Sequence, residues 1–383
     1  MENDLISEYY KIILNSKLFD KKWFVEKYEI DEILDPIMFY LKFGVDLDLD
    51  PSPHFDTSGY LNMYPDVKNR NMNPLVHYIK YGNAEGRLPK LFSFDDIEKS
   101  NLKICIKGKK DFLFLINDAN YELKQHFDIN YINRFDSKTF IDDYYFKKEL
   151  FNTNSIDYYY FVVPDKSFIC HDLIPFDDSN MKSNLNNLDK IIPNFNEELD
   201  TTCYFKYDSH INFKGAAVLS FNYFKYIDNS FECDDFNRLM NNCSKIKVFE
   251  SRDLLGEINY SYSIEERNNI KLSEITRIIC DCESLQIPEE FLFCGKRESL
   301  FKRNENSFSD LRALVFRDSS FVMFDNYFYL FFRETFAYWD HLDIKKELIE
   351  WYKPDIIIEL RTERFLENYS APSWVKNREK III

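Results

Sequence analysis

Between residues 93 and 383, short apolar runs alternate with stretches of helical period. DFLFLIND (111–118), YYYFVVPDK (158–166), RALVFRDSS (312–320) and PDIIIELRTER (354–364) are apolar runs that end in polar residues. Runs that are apolar on both faces suit a parallel sheet covered by helices. Between them, INFKGAAVLSFNYFKYI (211–227) and SSFVMFDNYFYLFFRETF (319–336) carry helical spacing. The alternation predicts an α/β fold of three layers with a parallel sheet. In such folds ligands sit beyond the carboxyl ends of the strands. The endings Asn117-Asp118, Asp165-Lys166, Asp318-Ser319 and Glu359 to Arg364 are therefore expected near one rim.

The front of the chain reads differently. LFDKKWFVEKYEIDEILDPIMFYLKFGVDLDLDPS (18–52) aligns with HFDTSGYLNMYPDVKNRNMNPLVHYIKYGNAEGRLP (54–89). Phe19-Asp20 matches Phe55-Asp56, Tyr28 matches Tyr64, Asp35-Pro36 matches Asn73-Pro74, and FYLKFG matches HYIKYG. Each copy reads as helix, turn, helix, with Pro36 or Pro74 at a helix start and Gly44 or Gly82 as the residue just past a helix end. One copy cannot bury its apolar face alone, so the two are expected to pack together. A small all-α repeat domain is thus predicted over 1–92 and an α/β domain over 93–383. The acidic DLDLDPSPHFD lacks the glycine and glutamate of a calcium loop and reads as a solvated linker. His54 and His77 read as packing residues.

Composition narrows the function classes. With 65 acidic against 49 basic residues, the net charge is −16, which argues against broad nucleic-acid binding. The segment MENDLISEYYKIILNSK lacks the basic, apolar and small-residue regions of a signal peptide, and no apolar run approaches the ~18 residues of a membrane span. A soluble, cytoplasmic protein is expected. Of the eight cysteines, Cys280 and Cys282 form a C-x-C with no second pair at zinc spacing. Reduced thiols and no metal are expected.

YFKYDSHINFKGAA (204–217) holds the strongest chemical signal. A histidine serves as general base when a carboxylate fixes its tautomer and a nucleophile lies within reach. Asp208 and His210 share a side if the aromatic YFKYDSH is extended. The nucleophile that suits them is Ser319, where an apolar strand ends in Arg317-Asp318 and a helix follows. That context exposes the hydroxyl and offers amides to an oxyanion. Ser320 is adjacent, and the choice between the two serines stays open. His126, His171 and His341 have no partner at motif spacing and read as packing or surface residues.

Two resemblances follow from these motifs. The second copy, with its YPDV and EGR, resembles short helical repeats attached to bacterial glycosyltransferases and surface-polysaccharide enzymes. FLFLIND, YYYFVVPDKSFICHDLIPF, YFKYDSHINFKGAA, SRDLLGEI, RALVFRDSS and KPDIIIELRTERFL, in this order, resemble the SGNH-hydrolase-like domain of the alginate acetylation proteins, the AlgX/AlgJ type. The resemblance covers about 105–370. It implies Ser319 as acyl-accepting nucleophile, His210 as base and Asp208 as its orienting carboxylate. It also implies Asn117 or Asp118 near the oxyanion or substrate, and Lys166, Arg317 and Arg364 lining the cleft. Ile211 stands where that family has tryptophan, and Arg317 where GDS motifs have glycine.

The implied activity is O-acylation, in the first instance O-acetylation, of a bacterial surface polysaccharide. The implied needs are an acyl donor such as acetyl-CoA, no bound cofactor, a glycan acceptor and a glycosyltransferase or other assembly partner, at the membrane periphery where the glycan is built. A carbohydrate esterase using the same triad and a non-catalytic recruiting scaffold are the alternatives. Tyr204, Tyr207 and Trp339 are candidates to stack on sugar rings.

Overall fold

The computed structural model describes residues 2–31, 33–91, 93–94, 105–116, 119–132, 134–188, 190–240, 243–248, 267–272, 278–279, 285–295 and 297–382. The chain divides into two compact units. One is residues 1–114 with 172–179, the other 115–171 with 180–383. Among the described residues, no helix is long and apolar enough to cross a membrane.

In the first unit the two aligned segments repeat their hydrogen bonds. The carboxylates of Asp20 and Asp56 cap helices Lys21–Tyr28 and Thr57–Met63, accepting from Trp23 N and Gly59 N at 3.0 and 2.7 Å. Asp35 and Asn73 cap Pro36–Phe39 and Pro74–His77, each with proline in the first turn. Side-chain caps of this kind satisfy amides that the helix itself leaves without partners. The Tyr28 hydroxyl accepts from Asp50 N, and the Tyr64 hydroxyl from Leu88 N, both at 2.8 Å. Phe24, Ile37, Tyr40, Phe55, Tyr60 and Leu75, drawn from both segments, share one core, together with Ile13 of helix Glu2–Leu14. Gly44 and Gly82 do not occupy the left-handed position expected of them. They close π-helical turns Tyr40–Gly44 and Tyr78–Gly82, and the chain continues in right-handed helical conformation. Their role is close approach: a Cβ would lie 2.3 Å from the Tyr40 ring at Gly44 and 2.3 Å from the Tyr60 hydroxyl at Gly82.

The second unit is mixed α/β, and among the described residues its central sheet has six strands. These are β1 (Asp157–Val163), β2 (Ile278–Ile279), β3 (Leu300–Asn304), β4 (Ser309–Arg317), β5 (Phe332–Trp339) and β6 (Ile356–Thr362), in the order β1-β6-β4-β5-β3-β2. The first four in that order are parallel, while β3 runs antiparallel to both β5 and β2. One register row runs Tyr159, Ile358, Val315, Ala337, and another Phe161, Leu360, Arg317, Trp339. The four parallel strands therefore end together at one edge.

Alternate residues of the strands serve two helical layers. Tyr158, Tyr160, Ile357, Leu314, Phe316 and Phe336 join a core with Phe140, Tyr144 and Phe151 of α1 (Ser137–Thr153) and Leu348, Ile349 and Tyr352 of α4 (Lys346–Tyr352). On the opposite side Phe161 stacks on Tyr223 of α2 (Phe213–Ile227), with centroids 4.3 Å apart. Phe224 of α2 stacks on Phe331 of α3 (Asp325–Phe331) at 4.1 Å. Such ring pairs contribute about 0.5–1.5 kcal/mol beyond their buried area.

Two expected elements differ. Leu113–Leu115 pairs with Cys105–Lys107 in a separate two-stranded sheet. A turn through Gly108 and left-handed Lys110 returns the chain at once, and a short loop closes at less entropic expense than insertion into a distant sheet. The helical reading of 319–336 also stops early. A 3-10 turn, Ser319–Met323, and α3 occupy its first part, and Phe332 turns extended to start β5. An all-aromatic stretch is apolar at every period, so helix and strand are indistinguishable there until β4 supplies a neighbour.

Candidate active site

The residues 204–212 form a tight loop at the start of α2. Tyr204 and Ile211 make an isolated antiparallel bridge, and Asn212 N donates to Cys203 O at 2.8 Å. The Asn212 side chain then caps α2 through Lys214 N and Gly215 N. The loop packs so closely that a Cβ on Gly215 would lie 2.6 Å from Cys203 O.

Asp208 and His210 meet here, although not through the extended chain expected for them. Residues 206–210 are bends, and Asp208 Oδ1 accepts both the His210 amide at 3.0 Å and His210 Nδ1 at 2.8 Å. This is the local side-chain-to-backbone turn that aspartate favours. With Nδ1–H donated to a carboxylate, Nε2 carries the lone pair. His210 Nε2 lies 3.0 Å from Ser319 Oγ. Asp208 is buried, while His210 and Ser319 are partly open to solvent.

Ser319 is held from the sheet side. It opens the 3-10 turn directly after β4 and Asp318. Asp318 is buried, and its carboxylate clamps two strand ends: Oδ1 accepts from Ser320 N at 2.8 Å and Oδ2 from Thr362 N at 2.6 Å. Ser320 points into the protein, its hydroxyl 2.6 Å from that of Thr362. Of the two serines, Ser319 therefore faces the imidazole. The Ser320 amide is taken by Asp318.

The remaining candidates divide. Asn117 and Asp118 lie outside the described residues, as does the SRDLLGEI segment (251–258). Lys166 is buried and donates to Lys206 O at 3.1 Å and Asp208 O at 3.0 Å, so it supports the loop that carries Asp208. Arg364 is buried against carboxylates, donating to Glu122 Oε2 at 3.1 Å and Asp165 Oδ1 at 2.8 Å. Arg317 packs over the Trp339 ring, 5.0 Å from its centroid, and donates to Glu298 O at 3.2 Å. Burial pulls its pKa below the ordinary arginine value.

Arg317, Asp318, Trp339, His341 and Phe365 line a cavity of about 250 Å³ beyond the ends of β4, β5 and β6. Lys166 and Arg364 are not among its lining residues. Tyr204 is buried, with its hydroxyl on Pro164 O at 2.6 Å, and Tyr207 is also buried, which leaves Trp339 as the ring of the three that borders the cavity.

Two groups carried no motif signal. Arg361, within β6, is buried in a bidentate pair with Asp340, at 2.6 Å for both bonds. His126 donates Nδ1–H to Lys182 O at 2.8 Å and sits 3.1 Å from Asp165 Oδ2. Burial opposes a charge on that ring, yet the Asp165 hydrogen bond and the nearby Glu363 hold its pKa up at about 9.

Compared with known proteins, the chain matches no family model and no curated protein. Solved structures similar to it include Bacillus cereus PatB1 with a sulfonyl adduct, at 14% identity and a TM-score of 0.49, over 70% of this chain and 97% of that one. Pseudomonas aeruginosa AlgX is similar at 11% identity and a TM-score of 0.44, over 70% of this chain and 65% of that one. The O-acetyltransferase domain of Pseudomonas putida AlgJ is similar at 10% identity and a TM-score of 0.40, over 72% of this chain and 98% of that one.

Proposed function

We propose that this chain is a serine O-acyltransferase that acetylates a bacterial surface glycan through Ser319. The observation that carries this reading is the unbroken hydrogen-bond chain from Asp208 through His210 to Ser319. Nucleophile, base and orienting carboxylate each stand within bonding distance of the next, as acyl transfer requires.

Ser319 Oγ attacks the carbonyl carbon of the acyl donor, and its proton passes to His210 Nε2. Asp208 faces the imidazolium through Nδ1–H. The Ser319 amide meets the developing oxyanion, where one such donor contributes about 3 kcal/mol. Collapse breaks the bond to the leaving group, which takes the proton from His210. A sugar hydroxyl then attacks the acyl-serine, loses its proton to Nε2, and that proton returns to Ser319 Oγ. Acetyl-CoA fits the donor role as a thioester. The cavity beside Asp318, with Trp339 on its wall, suits a sugar ring. The repeat unit is assigned the recruitment of a glycosyltransferase or other assembly protein.

The test is a burst experiment with p-nitrophenyl acetate followed by intact mass spectrometry. The wild type is expected to form an acetyl adduct that Ser319→Ala abolishes and His210→Ala slows by 100-fold or more, on the order of what general base catalysis supplies. Transfer of the acetyl group to added oligosaccharide, against release to water, separates transferase from esterase. Absence of both adduct and turnover in the wild type removes the acyl-serine route.

A further inference from the structure

Buried polar groups converge where β1 and β6 end. Asp165 lies two residues past β1, Glu363 directly follows β6, and His126 belongs to helix Glu122–Phe127. One donor atom from each of these three residues lies within 4.8 Å of the others, and all three side chains are buried.

The details suit an ion. His126 Nε2 and Asp165 Oδ2 are 3.1 Å apart. That is close to the separation of two ligands set at a right angle ~2.1 Å from one metal. His126 Nδ1 is committed to the Lys182 carbonyl, the outer hydrogen bond that orients a metal-binding imidazole and turns Nε2 toward Asp165. Glu363 Oε1 is fixed by Ser183 Oγ at 2.5 Å and Asn184 N at 2.9 Å. Its other oxygen, Oε2, is buried and has no hydrogen-bond partner among the described residues. A buried, unsatisfied carboxylate oxygen is costly, and a cation satisfies it. Arg364 occupies Asp165 Oδ1 and leaves Oδ2 to the cluster. A neutral imidazole with two carboxylates also balances a divalent charge.

We propose that His126 Nε2, Asp165 Oδ2 and Glu363 Oε2 form a buried site for a divalent transition-metal ion. One imidazole with two carboxylates suits Zn²⁺ or Mn²⁺ better than Ca²⁺, which takes oxygen ligands throughout. The ion replaces the proton between His126 and Asp165. It ties the ends of β1 and β6 to the helix of His126. Lys166, next to Asp165 in the chain, holds Lys206 O and Asp208 O, so the site braces the loop that carries Asp208 and His210.

The test uses the full chain, stripped with chelator, exposed to Zn²⁺ and desalted. Elemental analysis is expected to find one zinc per chain, with a rise in Tm over the stripped protein. X-ray absorption of the zinc-loaded wild type is expected to show nitrogen and oxygen ligands, including one imidazole. Glu363→Gln, which keeps the shape and removes the charge, is expected to weaken zinc binding roughly tenfold or more. No retained zinc in the wild type, sulfur in the absorption spectrum, or a folded Glu363→Gln that binds like the wild type overturns the proposal. The absorption spectrum needs no variant, so it decides even if Glu363→Gln does not fold. None of these readouts depends on acyl chemistry.

Discussion

Asp325, the first residue of α3, is a carboxylate whose surroundings oppose its charge. Burial pushes its pKa from 3.8 up to about 6, while the Asn326 amide, Lys302 and Arg317 pull the other way. The folded protein thus holds this proton more tightly than the unfolded chain does. Stability falls as pH rises from 3.8 to about 6 and stays lower above that. Asp325→Asn removes the penalty. It is expected to be more stable than the wild type at pH 7.5 by roughly 1–2 kcal/mol, with the gain closing toward pH 4. Denaturant midpoints at the two pH values check this, and an unchanged or lower midpoint at pH 7.5 refutes it. At this scale the sequence exposes residue types more readily than contacts. Asp208, His210 and Ser319 stand out because each sits in a local context that suits its chemistry. His126 does not stand out, because its partner Asp165 lies 39 residues away and only the fold brings them together.

At the scale of elements, the site depends on where β4 and β6 stop. Asp318 joins these ends by taking an amide from each, Ser320 N and Thr362 N. Asp318→Asn keeps one acceptor oxygen and turns the other into a donor facing an amide. Stability is expected to fall by about 1–3 kcal/mol, the cost of a buried group left unpaired. Under the acyl-serine reading, kcat for p-nitrophenyl acetate falls with little change in KM, because the serine shifts against His210. Thermal melts and steady-state kinetics measure both, and an unaltered Tm and kcat remove Asp318 from this role. The strands around 158–163, 312–317 and 356–362 were legible as apolar runs bounded by polar residues. β5 was not, since FFRETFAYW follows an aromatic helix without a glycine or proline to mark the change. Aromatic residues favour strands, so the composition of 206–210 suggests an extended chain, while its conformation is set by one carboxylate bonding two residues ahead.

For the whole molecule, the decisive quantity is charge. At −16 the chain repels polyanions over distances that salt shortens, with a Debye length of about 8 Å at physiological ionic strength. If the acceptor is an anionic glycan, transfer to it is expected to speed up as salt rises from about 0.01 to 0.15 M, while a neutral oligosaccharide of equal length shows little change. Initial rates at the two salt concentrations make the comparison. A rate that falls with salt for the anionic acceptor points instead to a local basic surface that dominates the overall field. The fold class was legible at this scale from the alternation of runs, because a sheet covered on both faces must be apolar on both.

The two N-terminal segments each close on themselves: Asp20 N bonds Pro51 O at 3.0 Å, and Asp56 N bonds Pro89 O at 3.1 Å. A segment bounded in this way brings its own helix caps and tyrosine anchors, and its ends meet. In genetic terms it is a unit of duplication. Recombination that adds another copy beside these two inserts a piece whose terminal bonds are already made and leaves the reading of its neighbours intact. Drift can then rewrite one copy while the hydrogen-bond frame persists; the two segments here differ at the PDV and EGR positions and keep the same terminal bond.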